Sequence, residues 1–306
     1  MSIVVAGTVA FDAIETPFGK TDKIIGGSGT YISLAASYFY GNIKLVSVVG
    51  DDFPKTMFTN FNKRGIYTDG VQVMKGKKSF FWSGKYHLDM NTRDTLKTEL
   101  NVLADFNPIL PDTYRKCDVV MLGNIEPNLQ MQVINQLAVR PKLIAMDTMN
   151  YWMNNAKKAL DKVLRMVDML IINDEEARQL ANEYAIAKAA KAILGRYQLK
   201  YLVIKKGEHG ALLFSGDQIF FAPALPLEEV FDPTGAGDTF AGGFIGYLAQ
   251  TKNITFTNMK RAIIYGSAMA SFCVEKFGPQ RLMEIKKTNI TKRVNEFVDL
   301  MKVTMK

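Results

Sequence analysis

The segment FDPTGAGDTFAGGF, residues 231–244, sets glycines beside two carboxylates in a pattern that suits phosphate chemistry. The apolar residues that follow Asp238 recur at helical spacing, which predicts a helix that begins near this aspartate. Gly235, Ala236 and Gly237 would then precede the helix, where free backbone N–H groups and the positive end of the helix dipole favour anions. Because glycine has no Cβ, an oxygen atom can approach these amides closely. The segment therefore predicts a binding site for a phosphate group.

Asp238 is the candidate catalytic base of this site. A carboxylate beside an anion-binding turn can accept the proton of a hydroxyl group that attacks a phosphorus atom held by the turn. The simpler alternative is that Asp238 is only the N-cap of the helix. Two other phosphate motifs are excluded, because a dinucleotide-binding fingerprint requires glycine where the chain has Phe240, and no glycine run is followed by the G-K-[ST] of a P-loop.

The rest of the chain predicts a parallel sheet that can position this segment. Apolar runs of strand length are separated by helix-like segments, such as 126–139, 154–167 and 174–197. The runs are largely uninterrupted, which is typical of strands covered on both faces. This alternation indicates a mostly parallel sheet between layers of helices. The apolar runs are 3–7, 44–50, 118–123, 142–147, 168–173 and 201–206.

Three segments depart from the alternation. Residues 13–25 and 71–101 contain β-prone pieces and turn residues without a long apolar helix, which predicts a small twisted sheet beside the main one. Residues 210–223 carry the signals of a hairpin. A glycine inside a helix costs about 1 kcal/mol relative to alanine, so close packing is predicted for the helix that contains Gly242, Gly243 and Gly246.

Composition restricts the class of protein. The chain has 306 residues, of which 48% are hydrophobic, and these can form the core of a single α/β domain over residues 1–306. Its two cysteines, Cys117 and Cys273, lie in apolar runs and are predicted to be buried thiols. Because the whole chain has only two histidines, the sequence offers few residues that could form a zinc site or a serine–histidine triad.

Charge and hydropathy indicate neither a nucleic-acid partner nor a membrane. The formal net charge is +8, but the lysines are scattered and the densest basic clusters carry no run of stacking aromatic residues. We therefore expect a solvated basic surface. No window approaches eighteen uninterrupted apolar residues, and the apolar N-terminus lacks the basic region of a signal peptide. These features predict a cytoplasmic protein.

The segment DPTGAGDTFAGGF resembles the C-terminal signature of the ribokinase-like (PfkB) family of carbohydrate and purine kinases, whose usual form is D-T-x-G-A-G-D-x-F. Similar landmarks recur in order along most of the chain, among them VVAGTVAFD near the N-terminus, GGSGT, SVVGDD, NDEE and KKGEHG. The resemblance implies a three-layer α/β/α fold with a mostly parallel central sheet and a small β lid. It also implies transfer of the γ-phosphoryl group of ATP to a hydroxyl group.

The resemblance assigns roles on the acceptor side of the site. Asp238 would be the base, and the amides of the glycine turn would stabilise charge on the transferring group. Asp12 would contact substrate hydroxyls. Gly26 and Gly27 would form a hinge on which a lid closes and excludes water, although a simple chain break before a core helix is equally consistent with the sequence. Segments 13–25 and 71–101 would form the lid, through which dimeric relatives pair.

On the nucleotide side, the resemblance implies ATP and Mg²⁺ as cofactors. Asn173 and Glu176 would act around the magnesium ion and its waters, although an N-x-x-E element after a strand is more often a helix cap. Gly207 and Gly210 would belong to an ATP-binding turn, and Gly278 to the segment that lines the adenine pocket. Relatives with similar C-terminal segments sometimes bind K⁺, which makes K⁺ a further candidate.

The chain departs from the family pattern at two positions. Tyr31 stands where many relatives have an asparagine that holds sugar hydroxyls, so it is either a substrate contact or a core residue. Lys205 stands where relatives often carry threonine near the nucleotide, and a lysine can meet a phosphate. In the predicted lid, Asn91 and Arg93 are candidate substrate contacts. The aromatic residues of the lid suit either stacking on a nucleobase or packing of the lid itself.

The leading hypothesis is an ATP-dependent kinase whose acceptor is a hydroxyl, most simply a primary hydroxymethyl, of a sugar or a sugar-containing small molecule. The alternative within this class is a nucleoside kinase with an adenosine-, inosine- or cytidine-type acceptor. A catalytically silent sugar- or nucleotide-binding protein would have no chemical reason to keep Asp238 beside the glycines. A nicotinamide-dependent reductase is the weakest alternative, because the chain lacks the fingerprint.

Overall fold

The structure is a computed structural model and describes residues 1–303. Its strands are β1 (Ile3–Ala6), β2 (Ala10–Thr16), β3 (Gly19–Lys20), β4 (Ile24–Gly26), β5 (Ile43–Gly50), β6 (Ile66–Met74), β7 (Phe81–Tyr86), β8 (Arg93–Glu99), β9 (Val119–Leu122), β10 (Leu143–Met146), β11 (Met169–Asn173), β12 (Tyr201–Lys205), β13 (Ala211–Ser215) and β14 (Gln218–Ala222).

An α-helix follows directly after β4, β5, β9, β10 and β11, and the chain from Ala236 onward is mostly helical. The α-helices are α1 (Ser28–Ser37), α2 (Lys55–Lys63), α3 (Pro127–Asn135), α4 (Asn150–Asn155), α5 (Lys157–Leu164), α6 (Asp174–Ala181), α7 (Ile186–Tyr197), α8 (Ala236–Thr251), α9 (Phe256–Cys273), α10 (Gln280–Glu284) and α11 (Lys287–Leu300). No helix within residues 1–303 is both long enough and apolar enough to cross a membrane.

The large sheet has nine strands in the order β14-β13-β12-β11-β10-β9-β1-β5-β6. Every pair from β12 to β6 is parallel, whereas β13 and β14 form an antiparallel hairpin at one edge. The hairpin lies within the predicted segment 210–223. The central strands are buried over their whole length, which explains why their sequences are continuous apolar runs.

Both faces of the large sheet are covered by helices. Alternate side chains of β1 enter different cores, because Ile3 and Val5 pack with α1, α8 and α9, whereas Val4 and Ala6 pack with α3, α5 and α7. Successive side chains of a strand point to opposite faces of the sheet, so the sheet separates two hydrophobic cores. The predicted three-layer α/β/α fold is therefore confirmed.

A second, smaller sheet contains β3, β2, β7 and β8, with β4 paired to β2. It takes its strands from residues 10–26 and 81–99, so the predicted segments 13–25 and 71–101 differ from it at their edges. Residues 71–74 instead continue β6, which pairs with β5 in the large sheet. The predicted helix over 174–197 is likewise two helices, because Asn182 adopts a left-handed conformation with φ of 53° and ends α6.

The glycines of α8 allow three helices to pack closely, as the sequence predicts. A Cβ on Gly242 would lie 2.3 Å from the carbonyl oxygen of Ile32, in α1. On the other side, a Cβ on Gly243 would lie 2.9 Å from Cγ of Met269, in α9. Because real Cβ atoms do not approach other atoms this closely, α8 can hold its place between α1 and α9 only with glycine at these positions.

Replacing Gly242 by alanine should therefore destabilise the protein by about 1–3 kcal/mol, the usual cost of overpacking a core. The matched control is Gly195→Ala in α7, where an added Cβ has nothing within 4 Å and alanine should stabilise the helix by up to about 1 kcal/mol. Equilibrium unfolding in urea measures both free energies. A Gly242→Ala variant as stable as the wild type would contradict the close contact of α8 with α1.

Candidate active site

Three polar residues lie together where neighbouring parallel strands end. Asp147 follows β10, Asn173 is the last residue of β11 and Lys205 is the last residue of β12. Asn173 and Lys205 are direct partners in the register of the two strands. Ligands of open parallel sheets bind at this carboxyl edge. The sheet therefore brings together residues that are 58 positions apart in the sequence, as in the pair of Lys205 and Asp147.

The glycine turn leads into α8 at the same edge. Gly235 is the N-cap of α8, with φ of 75°, and the helix begins at Ala236. The predicted start near Asp238 is thus two residues late, because the left-handed conformation of glycine lets the chain enter the helix earlier. Asp238 is the third helical residue, so the alternative that it is only the N-cap is wrong. Its Oδ1 atom is buried and has no hydrogen-bond partner among residues 1–303.

Burial, together with the nearby carboxylate of Asp147, raises the pKa of Asp238 to about 7. The positive charges of Lys205 and Arg93 oppose this shift. A carboxyl group whose pKa lies near neutral pH can both accept and release a proton under ordinary conditions. Asp238 is therefore poised for proton transfer at the start of α8.

Lys205 places a cation beside the glycine turn. A Cβ on Gly237 would lie 2.7 Å from the Lys205 Nζ atom, which is also 3.4 Å from Oδ2 of Asp147. Burial acts to lower the pKa of Lys205, but the carboxylates of Asp147, Glu176 and Asp238 more than offset it, so the pKa is raised. Lys205 therefore stays protonated in the site.

Asn173 and Glu176 form a capping box at the start of α6. The Asn173 side chain accepts a hydrogen bond from the Glu176 amide at 2.8 Å, and the Glu176 carboxylate accepts one from the Asn173 amide at 2.8 Å. The helix-cap interpretation thus holds for the geometry. Burial and the charge of Asp147 nevertheless raise the pKa of Glu176 to about 7. Since the charges of Asp147 and Lys205 both act on it, this carboxyl group lies at the same edge of the sheet as Lys205 and Asp238.

Asp12, the predicted acceptor contact, lies in β2 and is 4% exposed. Burial raises its pKa to about 7, with Asp232 as the next cause. A Cβ on Gly26 would lie 1.8 Å from Oδ2 of Asp12, and Gly27 has φ of 92°. The diglycine therefore provides the space in which the Asp12 carboxyl group is held.

Asp232 connects the glycine turn to Gly278 through hydrogen bonds. The Asp232 carboxylate accepts hydrogen bonds from the amides of Thr234 and Gly278, each at 2.8 Å. Gly278 has φ of 58°, and a Cβ there would lie 2.6 Å from Cδ1 of Ile24, in β4. Gly278, which the resemblance assigns to the ATP side, is therefore placed against Asp232 and the small sheet.

Tyr31 is buried beneath the glycine turn. It is 1% exposed, and a Cβ on Gly235 would lie 2.5 Å from its ring carbons. Its hydroxyl is buried without a hydrogen-bond partner among the described residues. Burial raises its pKa, and the nearby charges of Asp12 and Asp232 act in the same direction. Tyr31 thus has the burial of a core residue and a free polar atom directed toward the site.

The small sheet contacts both ends of the site. Asn91 donates a hydrogen bond from Nδ2 to Oε2 of Glu208 at 2.7 Å, and its side chain lies against Gly207. It therefore meets the predicted ATP turn rather than Asp12. Arg93 acts on the pKa of Asp238 by charge. Gly210 closes the turn at φ of 100°, where a Cβ would lie 2.0 Å from the carbonyl oxygen of Ala222.

Asp147 is the residue that the sequence prediction missed. It is buried, its backbone amide donates to the carbonyl of Leu122, and burial raises its pKa. The available signal was its position, since the apolar run 142–147 ends in a carboxylate where a parallel strand would end.

The sequence is similar to proteins that are named as kinases. A profile of the pfkB family of carbohydrate kinases matches residues 2–286. The cytidine kinase of Thermococcus kodakarensis is 30% identical over 254 residues, which cover 81% of this chain and 88% of that protein. The ribokinase of Bacillus subtilis is 26% identical over 286 residues, or 92% of each chain.

The fold is also found among solved structures. A putative ribokinase II from E. coli, in complex with ATP and Mg²⁺, superimposes with a TM-score of 0.79 at 17% identity and covers 96% of this chain and 99% of that one. This likeness concerns the fold, which is the same three-layer arrangement.

Removing the hydroxyl of Tyr31, and in comparison that of Tyr86, tests whether the Tyr31 hydroxyl lacks a hydrogen-bond partner. Tyr31→Phe should leave the free energy of unfolding unchanged or raise it, because no hydrogen bond is lost. The control is Tyr86→Phe, which removes the hydroxyl that accepts from Oγ1 of Thr234 at 3.2 Å and should cost about 0.5–1.5 kcal/mol. Urea unfolding measures both. Equal destabilisation would mean that the Tyr31 hydroxyl has a partner in solution.

Proposed function

The chain belongs to the pfkB family of carbohydrate kinases, and we propose that it transfers the γ-phosphoryl group of ATP to a primary hydroxymethyl group of a sugar-containing small molecule. Family membership makes it a phosphotransferase that acts on a hydroxyl group. The observation that carries the proposal is Asp238, three residues after the glycine that opens the anion turn. One of its carboxyl oxygens is buried and has no hydrogen-bond partner within residues 1–303.

The proposed reaction needs one base and one anion site. The acceptor oxygen forms a bond to the γ-phosphorus while the bond from that phosphorus to the β–γ bridging oxygen breaks, and ADP leaves with the electron pair. Asp238 accepts the hydroxyl proton. The backbone amides of residues 235–237 donate to the oxygens of the transferring group, and Asp12 orients the hydroxyls of the acceptor.

ATP and Mg²⁺ suit the donors at the carboxyl edge. Asp147, Asn173 and Glu176 offer the oxygen ligands that magnesium prefers, and they would hold the ion through water and the phosphates. Among residues 1–303, no three His, Cys, Asp or Glu side chains are grouped closely enough to hold a metal by themselves. When bound, the ion would neutralise phosphate charge. The ATP and Mg²⁺ complex of the similar E. coli protein supports this choice of cofactors.

A nucleoside is the second candidate acceptor. Two observations favour it: the 30% identity to a cytidine kinase, and the aromatic residues of β7, which pairs with β2, the strand that carries Asp12. Phe81 packs against the core, and Tyr86 is buried and hydrogen-bonded, so these two rings serve the packing of the small sheet. Of the aromatic residues of β7, Trp82 is the one whose ring is left to stack on a nucleobase. A K⁺ site, a homodimer formed through the lid and a cytoplasmic location remain predictions.

Asp238→Asn should lower turnover by about 10²–10⁴-fold and leave the affinity for ATP nearly unchanged, because a general base acts only on the chemical step. In the wild type, the base must be deprotonated. Since burial raises the pKa of Asp238 to about 7, kcat/KM should fall tenfold per pH unit below about 7 and be flat above it. Steady-state rates across pH and calorimetric titration with ATP measure both. Wild-type turnover in the variant would refute the assignment.

The acceptor is identified by ADP release. We expect release in the presence of an acceptor with a free hydroxymethyl group, measured over free sugars, sugar phosphates and nucleosides. The matched control is the deoxy analogue that lacks this hydroxyl, for example 5′-deoxycytidine beside cytidine, which should give only the background rate. Release with the deoxy analogue, or no release above background with any acceptor, would contradict the proposed function.

A further inference from the structure

Lys205 is a buried cation with few partners. Its side chain is 16% exposed, and an ammonium group has three N–H donors. Within residues 1–303 it has one hydrogen-bond acceptor, Oδ2 of Asp147, at 3.4 Å. Ammonium–carboxylate hydrogen bonds are typically about 2.7–2.9 Å long, so this one is weak. Lys205 therefore has donors to offer to another group.

The free donors of Lys205 are directed at the anion turn. Its Nζ atom lies 2.7 Å from the position that a Cβ on Gly237 would occupy, so it stands directly over the backbone that precedes Asp238. An oxygen atom bound to the amides of this turn would be within reach of the ammonium group. A side chain at position 237 would displace it, which gives Gly237 a second purpose besides the exposure of its amide.

Charge balance points the same way. The polyphosphate of ATP would bring several negative charges to an edge that already holds Asp147, Glu176 and Asp238. Among the described residues, the cations whose charge reaches Asp238 are Lys205 and Arg93. Arg93 begins β8 of the small sheet, whereas Lys205 ends β12 of the large sheet. Lys205 is thus the cation that the large sheet supplies.

We propose that Lys205 is a further catalytic residue, whose ammonium group binds an oxygen of the transferring γ-phosphoryl group. This inference rests on the proposed kinase function. As the bond to the bridging oxygen breaks and the bond to the acceptor oxygen forms, Lys205 donates hydrogen bonds to the group in flight and keeps its own proton. In the free protein, Asp147 holds the side chain in place. Lys205 thereby supplements the backbone amides of the turn.

The test compares the affinities for ATP and ADP, because only ATP carries the γ-phosphoryl group. Lys205→Met should weaken ATP binding by about 10–100-fold, the range for a charge-assisted hydrogen bond, and change ADP binding less than twofold. Turnover should fall by about 10²–10³-fold. The matched control is Lys191→Met, an exposed lysine of α7, which should change neither affinity nor turnover. Calorimetric titration with each nucleotide gives the affinities.

A second pair of variants covers the case in which Lys205→Met does not fold, since it leaves a buried carboxylate without its partner. Asp147→Asn with Lys205→Met restores the charge balance, and it is compared with Asp147→Asn alone. The added loss of affinity should again concern ATP and not ADP. Equal losses for the two nucleotides, or none, would show that Lys205 is only a counterion and overturn the inference. Absence of ADP release by the wild type would instead overturn the kinase function.

Discussion

The close contact between α8 and α1 fixes the geometry of the whole site. Because Gly242 and Gly246 have no side chains, the two helix backbones nearly touch, and both helices begin at the carboxyl edge of the large sheet. The start of α8 carries the anion turn and Asp238. The start of α1 carries Tyr31 and follows the diglycine beside Asp12. One packing contact therefore positions the proposed phosphate side and the proposed acceptor side of the site relative to each other.

The site that this contact creates is electrostatically incomplete. Burial is the largest cause that raises the pKa values of Asp12, Glu176 and Asp238 to about 7. The charged form of each carboxylate is therefore less stable in the folded protein than it would be in water. Asp238 and Tyr31 each have a buried polar atom without a partner among the described residues. Natural folds satisfy most buried polar groups, and exceptions concentrate at functional sites. Both residues lie at the glycine turn, where phosphoryl transfer is proposed.

Local sequence was a good guide to the sheet and a poorer one to its boundaries. The central strands were predicted because burial on both faces requires continuous apolar residues. The start of α8, the break after α6 and the edges of the small sheet were displaced. Two of these depend on single residues in left-handed conformations, Gly235 and Asn182, and the third on β6 extending to Met74 along its partner strand. A pattern of hydrophobic residues does not reveal a single left-handed residue or the exact end of a strand.

The sequence by itself determined the motif chemistry, since Gly235, Gly237 and Asp238 are neighbours in the chain and their order implies an anion turn followed by a carboxylate. The tertiary structure alone decided what surrounds them. Asp147 and Lys205 meet because parallel strands align their carboxyl ends, and Lys205 reaches Gly237 because α8 starts at that edge. Contacts between residues far apart in the chain depend on strand register and helix packing, which no local pattern encodes.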